Sequence, residues 1–243
     1  MKFKDYYDGA CAQLLADKIT PVYPKFRAAD FVAYIEAHIG GDKEFSARQD
    51  IFATALELFL TSGYRDNLDI LRQILGPELA QPAGMFSEGW WLWPVGRYVE
   101  RHGVLDLEAS LAFIYELTKR FTGEFVVRPL LEKDPVRTMQ IMEHWSLDGN
   151  VHVRRLASEG LRVRLPWARK IYVALEHFDV YRRILTNLKN DPEKFVQKSV
   201  GNNLNDLYKE DPAQALAIID AWQQDDPGKA TLWIIKHGLR SRK

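Results

Sequence analysis

The sequence predicts an all-α protein in which short helices stack as degenerate repeats. Apolar residues recur with helical periodicity along all 243 residues, and no run of alternating apolar and polar residues bounded by turns occurs. Three segments of related sequence begin at Val153, Val196 and Ala230, at successive spacings of 43 and 34 residues. This spacing is close to the period of HEAT or armadillo units, so we expect an α-solenoid of HEAT-like (armadillo-type) helical repeats, curved with one concave face.

Fourteen helices are predicted along the chain. Periodicity alone indicates the first seven, at 5–18, 28–39, 46–61, 65–75, 87–102, 107–121 and 124–132. Asp-Pro pairs occur at 134–135, 191–192, 211–212 and 226–227. Because Asp caps helices well and Pro suits the first helical position, these pairs support helices at 136–146, 192–208, 212–223 and 228–240. Periodicity indicates the remaining three helices, at 151–164, 168–175 and 179–188.

Composition and motifs exclude several classes of protein. The single cysteine, Cys11, can form neither an internal disulfide nor a zinc cluster, which favours a reducing, cytoplasmic compartment. No apolar window is long enough to predict a membrane span. The six histidines lack paired ligand spacing, and the motifs of P-loop hydrolases, dinucleotide-binding enzymes, serine esterases and zinc proteases are absent from the sequence. We therefore expect no metal and no cofactor, and any chemistry would use carboxylates, arginines and aromatic rings.

The distribution of charge favours a polyanionic partner for one part of the chain. The whole sequence has 33 basic and 33 acidic residues. Residues 1–100 carry 10 basic and 14 acidic side chains, whereas residues 151–200 carry 11 basic and 5 acidic ones. Such a local excess of positive charge is the pattern expected at a nucleic-acid contact, and the balanced total conceals it.

Two predicted helices carry unusual polar side chains on one face. In the helix at 151–164, one side of the helical wheel contains Arg155, Glu159 and Arg162. This side is either a solvated surface with weak ion pairs or part of a functional site. In the helix at 192–208, the polar residues predicted opposite the apolar stripe are Lys198, Asn202, Asn205 and Asp206. Asparagine is unfavourable inside helices, so Asn202, Asn203 and Asn205 require an explanation. Amides and lysine suit contacts with phosphate and sugar, and a tight helix crossing at Gly201 is the alternative.

Several aromatic residues, and one acid, allow both a structural and a functional interpretation. Trp167 follows Pro166 in a turn, where a ring is either core or a stacking surface, and core is the commoner outcome. Glu124 is most simply interpreted as a helix-start residue, favoured there by the helix dipole. Only the presence of Arg128 one turn later indicates a functional role for Glu124. The tryptophans that fall on apolar helical stripes, and are predicted to be core, are Trp145, Trp222 and Trp233.

Three segments resemble the signature sequences of one family. They are TGEFVVRPLL (122–131), HVRRLASEGLRVRLPWA (152–168) and SVGNNLNDLYKEDP (199–212). These segments strongly resemble the AlkC-type DNA alkylation repair glycosylases, relatives of AlkD in the HEAT-like repeat superfamily, and looser similarity extends over nearly the whole chain. The resemblance implies a C-shaped protein whose concave basic face holds duplex DNA. It also implies excision of cationic N-alkylated bases without base flipping.

The resemblance assigns roles to individual residues. By motif, the catalytic carboxylates would be Glu124, Glu159 and Asp206. The damaged nucleotide would be contacted by Trp167 and Arg155. The residues expected to bind the DNA backbone are Arg128, Arg162, Arg164, Lys198, Asn202 and Asn203. These residue types suit the reaction, because carboxylates stabilise an oxocarbenium-like sugar and orient water, and an aromatic ring attracts a cationic base.

The sequence therefore predicts a DNA glycosylase of base excision repair that releases 3-methyladenine, with 3-methylcytosine as a second candidate. We expect residues 1–243 to form a single HEAT-like repeat domain without the C-terminal immunoglobulin-like domain that some family members have. We further expect a monomer that acts on double-stranded DNA in a bacterial-type cytosol, associated with the nucleoid and not with a membrane. The main alternative is a non-catalytic HEAT-like module that binds damaged or branched DNA. A protein-interaction scaffold is the third.

Overall fold

The computed structural model describes residues 2–41, 43–82 and 88–242, and within these ranges the chain is all-α, as predicted, with no β-strand. The helices in these ranges are α1 (Gly9–Ile19), α2 (Ala28–Ile39), α3 (Phe45–Phe59), α4 (Tyr64–Gln73), α5 (Trp93–His102), α6 (Leu107–Thr118), α7 (Arg128–Lys133), α8 (Pro135–Trp145), α9 (Val151–Glu159), α10 (Val173–Glu176), α11 (Phe178–Asn187), α12 (Lys194–Glu210), α13 (Pro212–Gln224) and α14 (Lys229–Gly238). Short 3₁₀ turns lie at Phe3–Tyr6, Trp90–Leu92, Gly103–Leu105 and Leu239–Ser241. Of the helices described, none combines the length and the apolar character that a membrane crossing needs.

The helices group into two compact units, and the single domain expected over 1–243 stays a prediction. The first unit comprises residues 1–79 and 84–121, and the second comprises residues 80–83 and 122–243. In the first unit α1 packs on α2, α2 on α3, α3 on α5, and both α4 and α5 on α6. Aromatic rings fill part of its core, since Phe45 stacks on Phe3 and meets the edge of Trp93 with ring centroids 4.7 Å apart.

In the second unit the helices form two rows. In one row α12 packs against both α9 and α14. In the other row α11 packs against α8, and Trp222 of α13 donates from Nε1 to Oγ1 of Thr186 in α11 at 3.0 Å. The first row contains the three related segments at 153–162, 196–206 and 230–240. Stacked helices of this kind are what a HEAT-like repeat predicts.

Two glycines allow α12 and α14 to approach closely. A Cβ atom at Gly201 would lie 2.8 Å from Cδ2 of His237, and one at Gly238 would lie 2.7 Å from Cβ of Leu204. The interpretation of Gly201 as part of a tight helix crossing is therefore confirmed. The prediction that Asn205 lies on an exposed face is wrong, because α14 covers that face and Asn205 donates to the Gly238 carbonyl at 2.8 Å.

The Asp-Pro pairs have two different roles. Asp134 and Asp211 accept hydrogen bonds from the first turns of α8 and α13, each followed by Pro at the start of the helix, as predicted. The pairs at 191–192 and 226–227 do not start helices, since α12 begins at Lys194 and α14 at Lys229. Asp191 is instead buried and accepts a 2.6 Å hydrogen bond from Nε of Arg154.

Most predicted helices differ from the observed ones by a few residues at their ends, and four of the differences concern the site and the tryptophan-rich segment. The helix predicted at 151–164 ends at Glu159, since the following turn tightens and Pro166 cannot continue a helix. The helix predicted at 124–132 begins only at Arg128, and that predicted at 168–175 is reduced to Val173–Glu176. The helix predicted at 87–102 is a 3₁₀ turn followed by α5, and residue 87 lies outside the described residues.

Tryptophan burial follows the prediction at two of three positions. Trp145 and Trp222 are buried, as predicted. Trp233 is only half-buried, so its assignment to the core is wrong. Its ring stacks on His237, and the Lys194 ammonium lies over the ring, so that face of α14 is polar.

Candidate functional site

Five charged residues of the second unit form one continuous row, which we call the charge row. In spatial order it consists of Glu124, Arg155, Glu159, Arg162 and Asp206. Acidic and basic groups alternate along it, and the three carboxylates outnumber the two guanidinium groups. All five side chains are largely buried. Burial of charged groups is costly, and alternation of sign is the arrangement that offsets this cost.

One end of the charge row joins the turn before α7 to α9. The Arg155 guanidinium donates from Nη2 to Glu124 Oε1 at 3.3 Å and from Nη1 to Glu124 Oε2 at 3.4 Å. It also donates to Oγ1 of Thr122 and lies 4.8 Å from the centroid of the Phe195 ring. The interpretation of Glu124 as a helix-start residue is therefore wrong, because α7 begins only at Arg128 and the buried Glu124 carboxylate pairs with an arginine 31 residues away in the chain.

The other end of the charge row joins α9 to α12. Oε1 of Glu159 accepts from Arg162 Nη1 at 2.8 Å and lies 3.7 Å from Arg155 Nη2. Arg162 also donates from Nε to Asp206 Oδ2 at 2.9 Å. Because α9 ends at Glu159, Arg162 lies beyond the helix and reaches both carboxylates. A longer helix, as the sequence predicted, would have given Arg162 a different direction.

The electrostatics of the charge row keep its central carboxylate ionised. Burial by itself raises the pKa of the Glu159 carboxyl, but the charges of Arg155 and Arg162 outweigh burial and lower the pKa below its ordinary value. Burial by itself lowers the pKa of the Arg162 guanidinium, but the Glu159 and Asp206 carboxylates outweigh burial and raise this pKa above its ordinary value. Glu159 is therefore an anion at neutral pH.

Trp167 is exposed and lies on a turn close in sequence to the charge row. Its side chain is 73% exposed, so the core interpretation is wrong and the stacking interpretation remains. Its backbone has a φ of 64°, in the left-handed region that only a few per cent of non-glycine residues adopt. The turn closes by a hydrogen bond from the Ala168 amide to the Leu165 carbonyl at 3.2 Å. An exposed tryptophan on a strained turn is a candidate ligand-contact residue.

Three of the predicted backbone-binding residues have exposed or partly exposed side chains. Lys198 is exposed on α12. Asn202 is half-buried one turn later, with its Oδ1 3.0 Å from both Nε2 of His237 and Nη2 of Arg240. Arg164 donates from Nε to Glu210 at 2.6 Å and retains 38% exposure of its side chain. Contact with a phosphate therefore stays a prediction for these three residues, which all retain exposed surface.

Of the other three predicted backbone-binding residues, Arg162 is buried in the charge row and the remaining two have structural roles. Arg128 is buried, and its guanidinium donates to the backbone carbonyls of Arg162 and Arg169. Asn203 has no exposed surface, and its Nδ2 donates to the Ser158 carbonyl at 2.9 Å. A direct contact with a DNA phosphate is not consistent with this burial, so the assignments of Arg128, Asn203 and the similarly buried Arg162 are corrected. All three residues contact neighbouring elements that a single helical wheel does not include.

Sequence reasoning missed three residues that contact the charge row. Thr122 and Phe195 contact Arg155, and Ser199 donates from Oγ to Glu159 Oε2 at 2.6 Å. Thr122 and Ser199 lie within the segments TGEF and SVGNN, which the sequence analysis had singled out for other residues. Phe195 had no distinguishing signal, since an aromatic residue in a helix is ordinarily a packing residue.

Comparison with known proteins identifies the second unit. Residues 121–239 match the family described as DNA alkylation repair enzyme, and this range corresponds closely to the unit that contains the charge row. The match to this family is thus carried by residues 121–239, about half of the chain. The resemblance inferred from the three sequence segments is thereby confirmed.

Solved and curated relatives agree with that match. Pseudomonas fluorescens AlkC, an alkylpurine DNA glycosylase solved bound to DNA containing an abasic site analog, is 32% identical with a TM-score of 0.85 over 99% of this chain. Bacillus subtilis YhaZ is 32% identical over 98% of this chain. The chain spans 64% of the length of each of these two proteins. AlkD2 from Streptococcus mutans matches at 18% identity and a TM-score of 0.55, over 87% of this chain and 97% of its own, which supports the fold alone.

Proposed function

We propose that the protein is a DNA glycosylase that hydrolyses the N-glycosidic bond of cationic N-alkylated bases in double-stranded DNA. The observation that carries this proposal is the charge row, in which three buried carboxylates are held by Arg155 and Arg162, two arginines from the most basic part of the chain. A protein that only binds phosphate gains nothing from anions in its binding region. A protein that stabilises a developing positive charge needs them. AlkC, which shares 32% identity, is named an alkylpurine DNA glycosylase.

The proposed reaction follows from the charge of the substrate. A base alkylated at a ring nitrogen carries a positive charge, so it leaves as a neutral base with the electron pair of the broken C–N bond. The sugar then has oxocarbenium character, which Glu124, Glu159 and Asp206 would stabilise electrostatically. A water molecule adds to C1′ and gives up a proton, and the products are a free base and an abasic site.

The individual residues divide this work. Glu159 has a lowered pKa, so it is a weak base and would act mainly as a fixed negative charge. Asp206 accepts one hydrogen bond from Arg162 through Oδ2. Its second oxygen would be the better position for the attacking water. Trp167 would contact the cationic nucleotide through the face of its ring. The proposed lesions are 3-methyladenine first and 3-methylcytosine second.

The proposal is tested by incubating the full chain with randomly methylated DNA and identifying the released bases by mass spectrometry. We expect release of 3-methyladenine, and a loss of about 100-fold or more in Glu159→Gln and Asp206→Asn while DNA binding persists. Glu143→Gln is the matched control, because Glu143 pairs with Arg183 in the other helical row. Unchanged rates in both site variants would reject the assignment of these carboxylates.

The same experiment separates the enzyme from the alternative DNA-binding module. A module that recognises damaged or branched DNA would bind the methylated substrate and release no base. A protein-interaction scaffold would bind no DNA even at low salt, where the attraction between cationic side chains and phosphates is strongest.

A further inference from the structure

Behind the charge row lies a buried chain of hydrogen bonds, which we call the donor relay. It runs from Tyr181 on α11, through Asn203 on α12 and Ser158 on α9, to Ser199 on α12, and it ends at Glu159. All five residues are buried. The first four are not needed for DNA contact or for the proposed chemistry, and three of them, Tyr181, Ser158 and Ser199, were assigned no role by the sequence.

The direction of the donor relay follows from the number of protons that each group carries. Ser199 Oγ has one proton, and it donates this proton to Glu159 Oε2 at 2.6 Å. Ser199 Oγ also lies 2.6 Å from Ser158 Oγ. Since Ser199 has no second proton, Ser158 must be the donor in that contact. Ser158 Oγ in turn accepts from Asn203 Nδ2 at 3.1 Å.

The amide of Asn203 is fixed in orientation by its neighbours. Its Nδ2 lies 2.9 Å from the Ser158 carbonyl and 3.2 Å from the Ser199 carbonyl, and both carbonyls can only accept. Its Oδ1 accepts from the Tyr181 hydroxyl at 3.0 Å. A reversed amide would place its carbonyl oxygen against two other oxygens. Every donor of the relay therefore points toward Glu159.

We propose that Ser199 is a positioning residue whose hydroxyl, backed by Ser158 and Asn203, holds the buried Glu159 carboxylate ionised and fixed toward the arginines of the charge row. The relay accepts nothing from Glu159, so it favours the anion over the neutral acid. It also occupies Oε2, which leaves Oε1 directed at Arg162 and Arg155. The catalytic meaning of this inference rests on the proposed function.

Other charged groups also act on Glu159, so the contribution of the relay must be measured against them. Arg155 on α9 and Arg162 after it act on Glu159 directly. Glu124 before α7 and Asp206 on α12 pair with these two arginines, and His237 on α14 and Arg240 beyond α14 interact with Arg162. None of them changes in Ser199→Ala or Ser158→Ala. A change in the titration of Glu159 in these variants therefore reports on the relay.

The test follows the Glu159 carboxyl directly by nuclear magnetic resonance of the full chain with ¹³C-labelled glutamate side chains. The Glu159 signal is assigned by its loss in Glu159→Gln. We expect Ser199→Ala to move the titration midpoint of Glu159 upward by about one pH unit, the effect of losing a hydrogen bond to a charged group. Ser158→Ala removes the donor to Ser199, and we expect a smaller upward movement. The matched control is Ser110→Ala, another buried serine, located in the first unit, which leaves the midpoint unchanged.

Two results would overturn the inference. If Ser199→Ala folds and Glu159 titrates with the wild-type midpoint, Ser199 does not position Glu159. If the midpoint is unchanged in Ser158→Ala, the relay behind Ser199 does not act on Glu159. If Ser199→Ala does not fold, Ser158→Ala alone decides. Base release measured on the same variants separates this inference from the proposed function. If the titration midpoint of Glu159 moves upward in these variants but no protein tested releases a base, the relay is supported and the proposed glycosylase activity is rejected.

Discussion

At the scale of single residues, the main finding is that the charged side chains of the site are held by partners far away in sequence. Glu124 meets Arg155, and Asp206 meets Arg162, across 31 and 44 residues. The residue types were predictable from the sequence segments, and so was the proximity of Arg155, Glu159 and Arg162, but these two long-range pairs were not. Asn203 shows the consequence, since its helical position suggested a phosphate contact while the neighbouring helix buries it completely.

Trp167 is expected to contribute to activity and not to stability. Trp167→Gly relieves the left-handed backbone strain but increases the entropy of the unfolded chain, so we expect the free energy of unfolding to change by less than about 1 kcal/mol. Base release should fall about tenfold or more, because stacking with a base contributes about 1–3 kcal/mol. The contrasting control is Trp222→Ala, a buried ring whose loss costs about 3–5 kcal/mol. A large loss of stability in Trp167→Gly would contradict the assignment.

The lowered pKa of Glu159 predicts how stability depends on pH. A carboxyl whose pKa is lower in the folded state stabilises the protein fully above its unfolded pKa, and this contribution is lost as the pH falls through the folded pKa. Urea unfolding from pH 6 down to pH 3 should therefore show the stability difference between wild type and Glu159→Gln narrowing as the solution becomes more acidic. Glu36→Gln, at an exposed position on α2, serves as the control. A difference that stays constant over this range would contradict the ion pairing of Glu159.

At the scale of elements, helix identity followed from periodicity, whereas helix ends depended on contacts. The predicted helix at 151–164 ends five residues early, at Glu159. Gly160 is required there because a Cβ atom would lie 2.7 Å from Cγ1 of Val127. The early end frees Arg162 to bridge Glu159 and Asp206. A local sequence pattern cannot predict the requirement for Gly160, because Val127 belongs to another segment.

The crossing of α12 and α14 predicts a penalty for added volume. Gly201→Ala places a methyl group 2.8 Å from the His237 ring, which is held by stacking on Trp233. We expect a loss of about 1–3 kcal/mol in the free energy of unfolding, although alanine has the higher helix propensity. Gly149→Ala is the matched control, since no heavy atom lies within 4 Å of its added Cβ. Equal stability of the two variants in urea would argue against a tight crossing.

The two kinds of Asp-Pro pair predict different costs. Asp134→Ala removes a helix cap and should cost about 1 kcal/mol. Asp191→Ala leaves the Arg154 guanidinium without its buried carboxylate and should cost about 3–5 kcal/mol. Chemical denaturation of both variants measures the difference. Similar costs would mean that Asp191 acts as an ordinary cap.

At the scale of the whole molecule, the zero net charge is the sum of two oppositely charged units. Residues 1–121 carry 13 basic and 17 acidic side chains, and residues 122–243 carry 20 and 16. The basic unit is also the one that matches the DNA alkylation repair enzyme family. Any attraction to DNA is therefore expected to come from this unit. We expect the buried charge row to contribute to the proposed reaction more than to the affinity for DNA.

This distribution predicts a specific salt dependence of DNA binding. For the full chain, the logarithm of the binding constant should fall linearly with the logarithm of the salt concentration. Lys198→Gln should reduce that slope by about one, the effect of losing one phosphate contact. Lys25→Gln, at an exposed position in the acidic unit, should leave the slope unchanged. Equal slopes in all three proteins would exclude Lys198 from the DNA contact.

The sequence by itself determined the all-α class, the order of the helices and the residue types of the site, because periodicity and short motifs are local properties of the chain. Only the tertiary structure decided which residues are buried and what they pair with. Arg128 supports two backbone carbonyls, Asn203 joins the donor relay, and Ser199 contacts Glu159 across 40 residues of sequence. The physical reason is that burying a charge or an amide requires partners on several elements at once, and those partners meet only when the helices pack.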